Sequence, residues 1–311
     1  MRGPHGSPAA LAQRSREDGT NGDCNNLLSA LYTIGTYPID LGPTGEPIFA
    51  HYPAMKLGHI ESVDRFAELL APPILQRMVQ AGPADRDWVL TSPPLWGLPC
   101  GANLVCRAVY KILVDALPRE FALTFDKLEV CGARTPIGSQ SEFEGYNDYS
   151  KQDLKTRQDF HLKEDDDATQ DLAAFEGRRA VFVNDINVTG TQLASIEKLL
   201  HQAGVKSLDC FLILNVDPRI GRRFPQLENE INTSRIYSLE EFTSFLRDSD
   251  FRCTGKLISR LLSYDSESLA GIFAALGRQK RVLLHRAILE EDLYGGTFFA
   301  EKLHVVQCAA G

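Results

Sequence analysis

The segment "AVFVNDINVTGTQ", residues 180–192, passes from apolar to polar within four residues. Ala180 to Val183 form a short apolar run without alternation, the pattern of a strand covered on both faces. Asn184 and Asp185 end the run with an amide and a carboxylate. Thr189-Gly190-Thr191 then leads into "TQLASIEKLLHQAG" (191–204), whose apolar spacing predicts a helix closed by Gly204. Strand, polar turn and helix in that order make one unit of a parallel α/β sheet. In such sheets ligands bind outside the carboxyl ends of the strands. The backbone N–H groups of Ile186, Asn187, Val188, Thr189, Gly190 and Thr191 and the following helix start favour an anion. Gly190 permits close backbone approach, and the two threonines add hydroxyl donors. The segment therefore suits a turn that holds a phosphate, with polar groups beside it for hydroxyls. It equally suits an Asx turn with a threonine cap and no ligand.

The same rhythm extends to both sides. "DWVLTS" (87–92), "DKLEVCG" (126–132), "RRAVFVND" (178–185) and "SLDCFLILNV" (207–216) read as strands, and "ANLVCRAVYKILVDAL" (102–117) as a helix with an apolar stripe. Upstream, "NNLLSALYTIG" (25–35) reads as helical and "EPIFAHYPAMKLG" (46–58) as extended or turn-like. "SVDRFAELLAPPILQRMVQAG" (62–82) reads as an amphipathic helix with Ser62 at its N-cap and a proline pair near its middle. Beyond Asp217-Pro218, residues 218–238 read as a polar connection with one short strand. Residues 238–248, 255–292 and 297–304 read as helices. The expected organisation is a flexible leader (1–24), an N-terminal helical hood segment (25–84), a core (85–217) and a mainly helical C-terminal appendage (218–311).

The 311 residues suffice for a substantial core, and a net charge of -8 argues against bulk nucleic-acid binding. Seven cysteines, an odd number with no zinc spacing, read as buried free thiols of a reducing compartment. No run reaches the length of a membrane span, and residues 1–23 lack the apolar core of a signal peptide. The expectation is a cytoplasmic protein that engages neither membrane nor bulk nucleic acid.

Residues 180–192 resemble the PRPP-binding motif of type I phosphoribosyltransferases (PRPP is 5-phosphoribosyl 1-pyrophosphate): an apolar strand, two acids, three variable residues, Thr-Gly, a small residue and Thr. Asp185 matches the second acid and Thr189-Gly190 the Thr-Gly, with Thr191 on the small position. The resemblance implies that the acids hold the ribose hydroxyls and the turn holds the 5-phosphate. Two residues depart from it. Asn184 stands for the first acid, removing a negative charge from beside a developing ribosyl cation, and Gln192 stands for the final Thr.

By position, "WVLTSPPLWGLPCGANLV" (88–105) resembles the family's pyrophosphate loop. Thr91, Ser92, Pro93 and Pro94 would form it, where the family often has an unusual cis peptide; an ordinary proline-rich turn is the other reading. The polar stretch 133–177 lies where the family keeps a catalytic loop. Within it, Gln152, Leu154, Arg157, Gln158 and Phe160 resemble the order found in competence-protein-F-like members. Lys151, Lys155 and Arg157 would reach the pyrophosphate when such a loop closes, whereas a solvated insertion is the other reading. "KEDDD" (163–167) reads as a solvated charge run.

The resemblance implies an α/β fold with a parallel sheet and a phosphoribosyl transfer of nucleotide-metabolism type, releasing pyrophosphate. The acceptor is a small molecule that the sequence does not identify. Asp185, Asn184, Arg157 and Lys151 are the implied catalytic residues. Mg²⁺ would arrive with PRPP and have no direct protein ligand, contact with Asp185 staying open, as does a homodimer. A catalytically weak PRPP sensor is the alternative, and an unrelated phosphate-binding protein a third. For the acceptor, the hood candidates are 51–66, with Tyr52, Lys56 and His59, and 217–300, with Arg219, Arg222 and Arg223. Each of these also reads as ordinary exposed surface.

Overall fold

The structure is a computed structural model that describes residues 14–15, 26–42, 45–82, 85–95, 97–128, 137–147 and 172–311. Five parallel strands form its centre: β2 (Leu27–Ile34), β3 (Asp87–Thr91), β4 (Ala122–Phe125), β5 (Arg179–Asn187) and β6 (Ser207–Val216). A two-residue strand, β1 (Arg14–Ser15), adds an antiparallel edge, and the order is β1-β2-β6-β5-β3-β4. The expected α/β parallel sheet is present.

Its two faces are built by the period of the strand. On β5, Val181 and Val183 point to one side and join Trp88, Leu90, Phe211 and Ile213. That side is covered by α1 (Ile48–Lys56), α2 (Ile60–Gln80) and α3 (Gly101–Ala116). Ala180 and Phe182 point to the other side, under Leu193, Ile196 and Leu200 of α5 (Thr191–Gln202). After β3 the chain goes outward to β4, and after β5 it goes the opposite way to β6. The carboxyl ends of β3 and β5 therefore flank the point where strand order reverses, the place such sheets keep for ligands.

The remaining α-helices among the described residues are α4 (Gln140–Asn147), α6 (Pro218–Arg223), α7 (Leu227–Thr233), α8 (Leu239–Asp248), α9 (Gly255–Ser263), α10 (Ser266–Ala275), α11 (Arg278–Glu291) and α12 (Ala300–Ala310). Those from α8 onward pack around a second apolar cluster, including Phe242, Leu261, Phe273, Leu284 and Phe299. Ser238 and Glu241 form a reciprocal capping box at the start of α8. Among the described residues, no helix is long and apolar enough to cross a membrane.

Several local expectations are corrected. Residues 27–34 form a strand, not a helix, because tertiary pairing overrides local spacing. β2 runs parallel to β6, and the Leu27 N–H donates to the buried Asp209 carboxylate at 3.0 Å, which Arg77 also holds at 2.8 Å. Residues 48–56 form a helix rather than an extended segment. Pro47 occupies its N-cap, where no amide is missed, and Phe49, Tyr52 and Met55 bury one side. α2 starts at Ile60 with His59 as its N-cap. Ser62 lies buried in the first turn, 2.8 Å from His59 Nδ1, and the prolines Pro72 and Pro73 leave the helix continuous.

The strand expected at 126–132 is at Ala122–Phe125, paired with β3; residues 126–128 are not strand, and 129–132 lie outside the described residues. No strand forms at 218–238. Asp217 caps α6 through the Arg219 N–H at 2.9 Å, and α7 follows. The stretch 133–177 contains α4, which seats Phe143 against Tyr294 and Phe299.

Candidate functional site

The β5–α5 turn is held from within and from below. Gly190 has φ +84°, the left-handed region that glycine occupies without strain, and it serves as the N-cap of α5. Thr189 Oγ1 and Thr191 Oγ1 lie 2.9 Å apart, and the Thr191 N–H points to Thr189 Oγ1 at 3.4 Å. Beneath them α6 presses Gly221 on the turn: a Cβ there would lie 1.8 Å from the Val188 carbonyl oxygen. Gly221→Ala is therefore expected to displace the turn. It should lower Tm by a few degrees, as thermal melts would show.

The turn encloses a cleft of about 200 Å³ together with Pro93, Asn184, Asp185 and Gln192. Lys56 at the end of α1, Cys100 at the start of α3 and Glu228 in the first turn of α7 complete its walls. Asn184 and Asp185 are both buried. The Lys56 ammonium donates to Asp185 Oδ2 at 2.6 Å; their side chains are 15% and 8% exposed. Asp185 Oδ1 accepts from its neighbour's N–H, Ile186, at 2.7 Å. Burial alone would lower the Lys56 pKa, but the carboxylates of Asp185 and Glu228 outweigh it and the ammonium is held above its usual range. Burial, with Asp185 adding to it, pushes the Cys100 thiol up to about 11, so it is a neutral wall and not a nucleophile at pH 7.

The two residues that depart from the family motif meet. Asn184 Nδ2 donates to Gln192 Oε1 at 3.1 Å and to the Ile186 carbonyl at 3.3 Å, while its Oδ1 accepts from the Asp185 N–H at 2.9 Å. The amide at 184 thus ties strand, turn and helix start together.

Of the expected pyrophosphate loop, only Pro93 lines the cleft. Thr91 and Ser92 are 0% and 3% exposed, and Pro94 lies outside the lining. The loop is clamped by α3, as Asn103 Nδ2 donates to Ser92 Oγ at 3.0 Å and to the Pro93 carbonyl at 2.7 Å. Among the described residues the cis peptide is at Tyr37–Pro38, not in this loop. From the C-terminal helices, the buried Glu291 carboxylate accepts the Leu98 N–H at 2.6 Å. Glu291→Ala strands that buried N–H. We expect it to cost about 1–3 kcal/mol, read as a lower urea midpoint.

Lys151, Arg157, Gln152, Leu154, Lys155, Gln158 and Phe160 lie outside the described residues. Tyr52 and Lys56 are not the exposed helix start expected of them. Tyr52 is fully buried beneath Lys56, whose ammonium sits 5.9 Å from its ring centre, because α1 packs one side on α2, α3 and α7. His59 lies at the N-cap of α2 and outside the cleft. Arg219 pairs with Asp217, and neither it nor Arg222 or Arg223 lines the cleft. Glu228 escaped sequence reasoning entirely, being one acid in a polar stretch with no motif around it.

Among the described residues, no three His, Cys, Asp or Glu side chains converge as a metal cage. Comparison with known proteins adds the family. The model described as phosphoribosyltransferase, ComF-like, matches residues 63–306. A comparison with curated proteins gave no match. A solved hypoxanthine phosphoribosyltransferase from Staphylococcus aureus aligns at 14% identity over 50% of this chain and 66% of its own, with a TM-score of 0.28. With its family match spanning core and C-terminal helices alike, the chain belongs to the ComF-like phosphoribosyltransferases.

Proposed function

We propose that the protein binds PRPP in the cleft at the β3–β5 crossing and transfers its 5-phosphoribosyl group to a small-molecule acceptor, releasing pyrophosphate. The observation that supports this most is the turn itself. Its left-handed Gly190 and paired threonines line the cleft at the start of α5, so threonine hydroxyls and the positive end of the helix dipole are at hand for an anion in a space of about 200 Å³. Asp185 lies beside that space, placed to accept hydrogen bonds from ribose hydroxyls. The bond from C1 of the ribose to pyrophosphate breaks as the acceptor's lone pair forms the new one. Positive charge builds on the ribose meanwhile, and Asp185 and Glu228 are the anions that face it.

Mg²⁺ suits this donor set. It needs only one or two carboxylates plus substrate phosphates, and Asp185 and Glu228 are hard oxygen donors on the same cleft. When bound it neutralises the leaving pyrophosphate. Lys56, held protonated by Asp185 and Glu228, offsets part of their negative charge in the cleft.

A sensor that binds PRPP with little turnover is the second reading. It is favoured by the ion pair that occupies Asp185 and by the internal bonds that occupy Asn184. Calorimetry with PRPP and Mg²⁺, followed by a pyrophosphate-release assay over an acceptor panel, separates the two. Saturable binding with acceptor-dependent release is expected for the transferase. Binding without release across the panel would favour the sensor, and absence of PRPP binding would remove both.

A further inference from the structure

A second and larger cleft, about 1,200 Å³, opens beside the first, and the Lys56 side chain lines both. Helix α7 runs along the seam. It turns Glu228 to the small cleft and Asn229 and Asn232 to the large one. Asn232 is 9% exposed, and its carboxamide oxygen has no hydrogen-bond partner among the described residues. A buried, unpartnered amide on the wall of a cleft is costly unless something in the cleft completes it. A half-turn of the amide offers either a donor or an acceptor.

Charge in the large cleft is sorted by depth. Lys256 and Arg260, one helical turn apart on α9, and Lys302 on α12 line it half-buried. Its acids, Glu267 and Glu301, are exposed at the rim, and Asp265 is engaged in capping α10. Lys302 donates to the Leu262 carbonyl and Arg260 to that of Tyr237, which leaves each head group further N–H donors. Burial holds the Lys302 pKa below the ordinary lysine value, a desolvation cost that a bound anion would relieve. Tyr237, 78% exposed, offers a flat ring at the same cleft. A volume above the roughly 300–1,000 Å³ of drug-sized sites is far too large for one free base.

We infer that the large cleft takes the acceptor. The acceptor class is a flat heteroaromatic anion larger than a free nucleobase, such as a nucleoside monophosphate or a fused-ring carboxylate, with its nucleophilic atom at the Lys56–Glu228 seam. The assignment rests on the phosphoribosyltransferase reading above.

Calorimetry on the full chain tests it, using the four ribonucleoside 5′-monophosphates, their free bases, and quinoline- and pteridine-carboxylates beside their uncharged parents. PRPP with Mg²⁺ is titrated separately. At least one anion is expected to bind about tenfold or more tighter than its uncharged parent. The arm that binds, phosphate or carboxylate, identifies the source of the charge. Lys256→Ala with Arg260→Ala should weaken that binding by about tenfold and leave PRPP affinity within about twofold. Lys302→Ala is the second variant if the pair fails to fold. No saturable probe on a chain that binds PRPP, uncharged parents binding as tightly, or cation variants with unchanged affinity would each overturn the inference. If PRPP itself does not bind, the underlying reading falls and the acceptor assignment falls with it.

Discussion

Asp185→Asn is expected to lower turnover with PRPP by about 10²–10³ and also to destabilise the fold. The carboxylate does two things. On the proposed function it faces the ribose, and in the structure it neutralises Lys56 at 2.6 Å in a nearly dry setting. Removing one partner of a buried pair leaves the other charge unpaired, at a cost of about 3–5 kcal/mol. The lower end is expected here because 15% of the Lys56 side chain meets solvent. The two effects separate in the double variant Asp185→Asn with Lys56→Met. Melting temperature should return most of the way to wild type, because both charges are gone, while turnover stays low. Recovery of turnover together with stability would show that Asp185 acts only as a structural anion. The sign with pH follows from Lys56. Its pKa is raised, so the pair's contribution is complete below the ordinary lysine value of 10.5 and is lost only as pH climbs through the higher folded value. The pair's contribution to wild-type stability should therefore stay flat from neutrality to about pH 10.

Asn184→Asp, which restores the family's first acid, is expected to fail by itself. The carboxylate would replace an amide that donates to Gln192 and to the Ile186 carbonyl, and it would set two oxygens against oxygen acceptors. It would also stand next to Asp185, with a single lysine between them. We expect a loss of about 1–3 kcal/mol and no gain in turnover. Gln192→Thr alone removes a partner of Asn184 and costs less. Together, the threonine hydroxyl can donate to the new carboxylate, and the double variant should be more stable than the sum of the singles by about 1 kcal/mol or more. Its pyrophosphate release should exceed wild type. Additive singles, measured by denaturant unfolding, would show that the two departures are unrelated. A stable double variant with unchanged release would favour the sensor.

What the sequence disclosed follows the range of the interactions involved. The β5–turn–α5 unit was readable because its strand run, left-handed glycine and helix period are all local; β6 runs from Ser207 to Val216, as its apolar run indicates. Residues 27–34 were misread because β2 is a strand only through its pairing with β6, some 180 residues away. Residues 48–56 were misread because two prolines suggest a turn, yet Pro47 sits where a helix accepts proline. In the cleft, Asp185 and the turn announced themselves. Lys56 reaches Asp185 across 129 residues, and no spacing rule carries a contact of that kind. The partnership of Asn184 with Gln192 is local, but it becomes visible only once α5 is known to begin at Thr191.

Thr254 Oγ1 donates to the Lys56 carbonyl at 3.0 Å, the Arg252 N–H to that of Gly58 at 3.0 Å, and the Gly255 N–H to that of Pro99 at 3.1 Å. The first and third of these bonds tie the segment leading into α9 to a residue at or next to the small cleft, and the second holds the turn after α1. The C-terminal helices are thus no interchangeable cap. Exchanging them for those of a relative would move Lys56 and, through it, the charge on Asp185. On the proposed function, changes of acceptor preference and changes in the handling of the sugar would then be inherited as one trait, and a chimera made to alter only the first should show both.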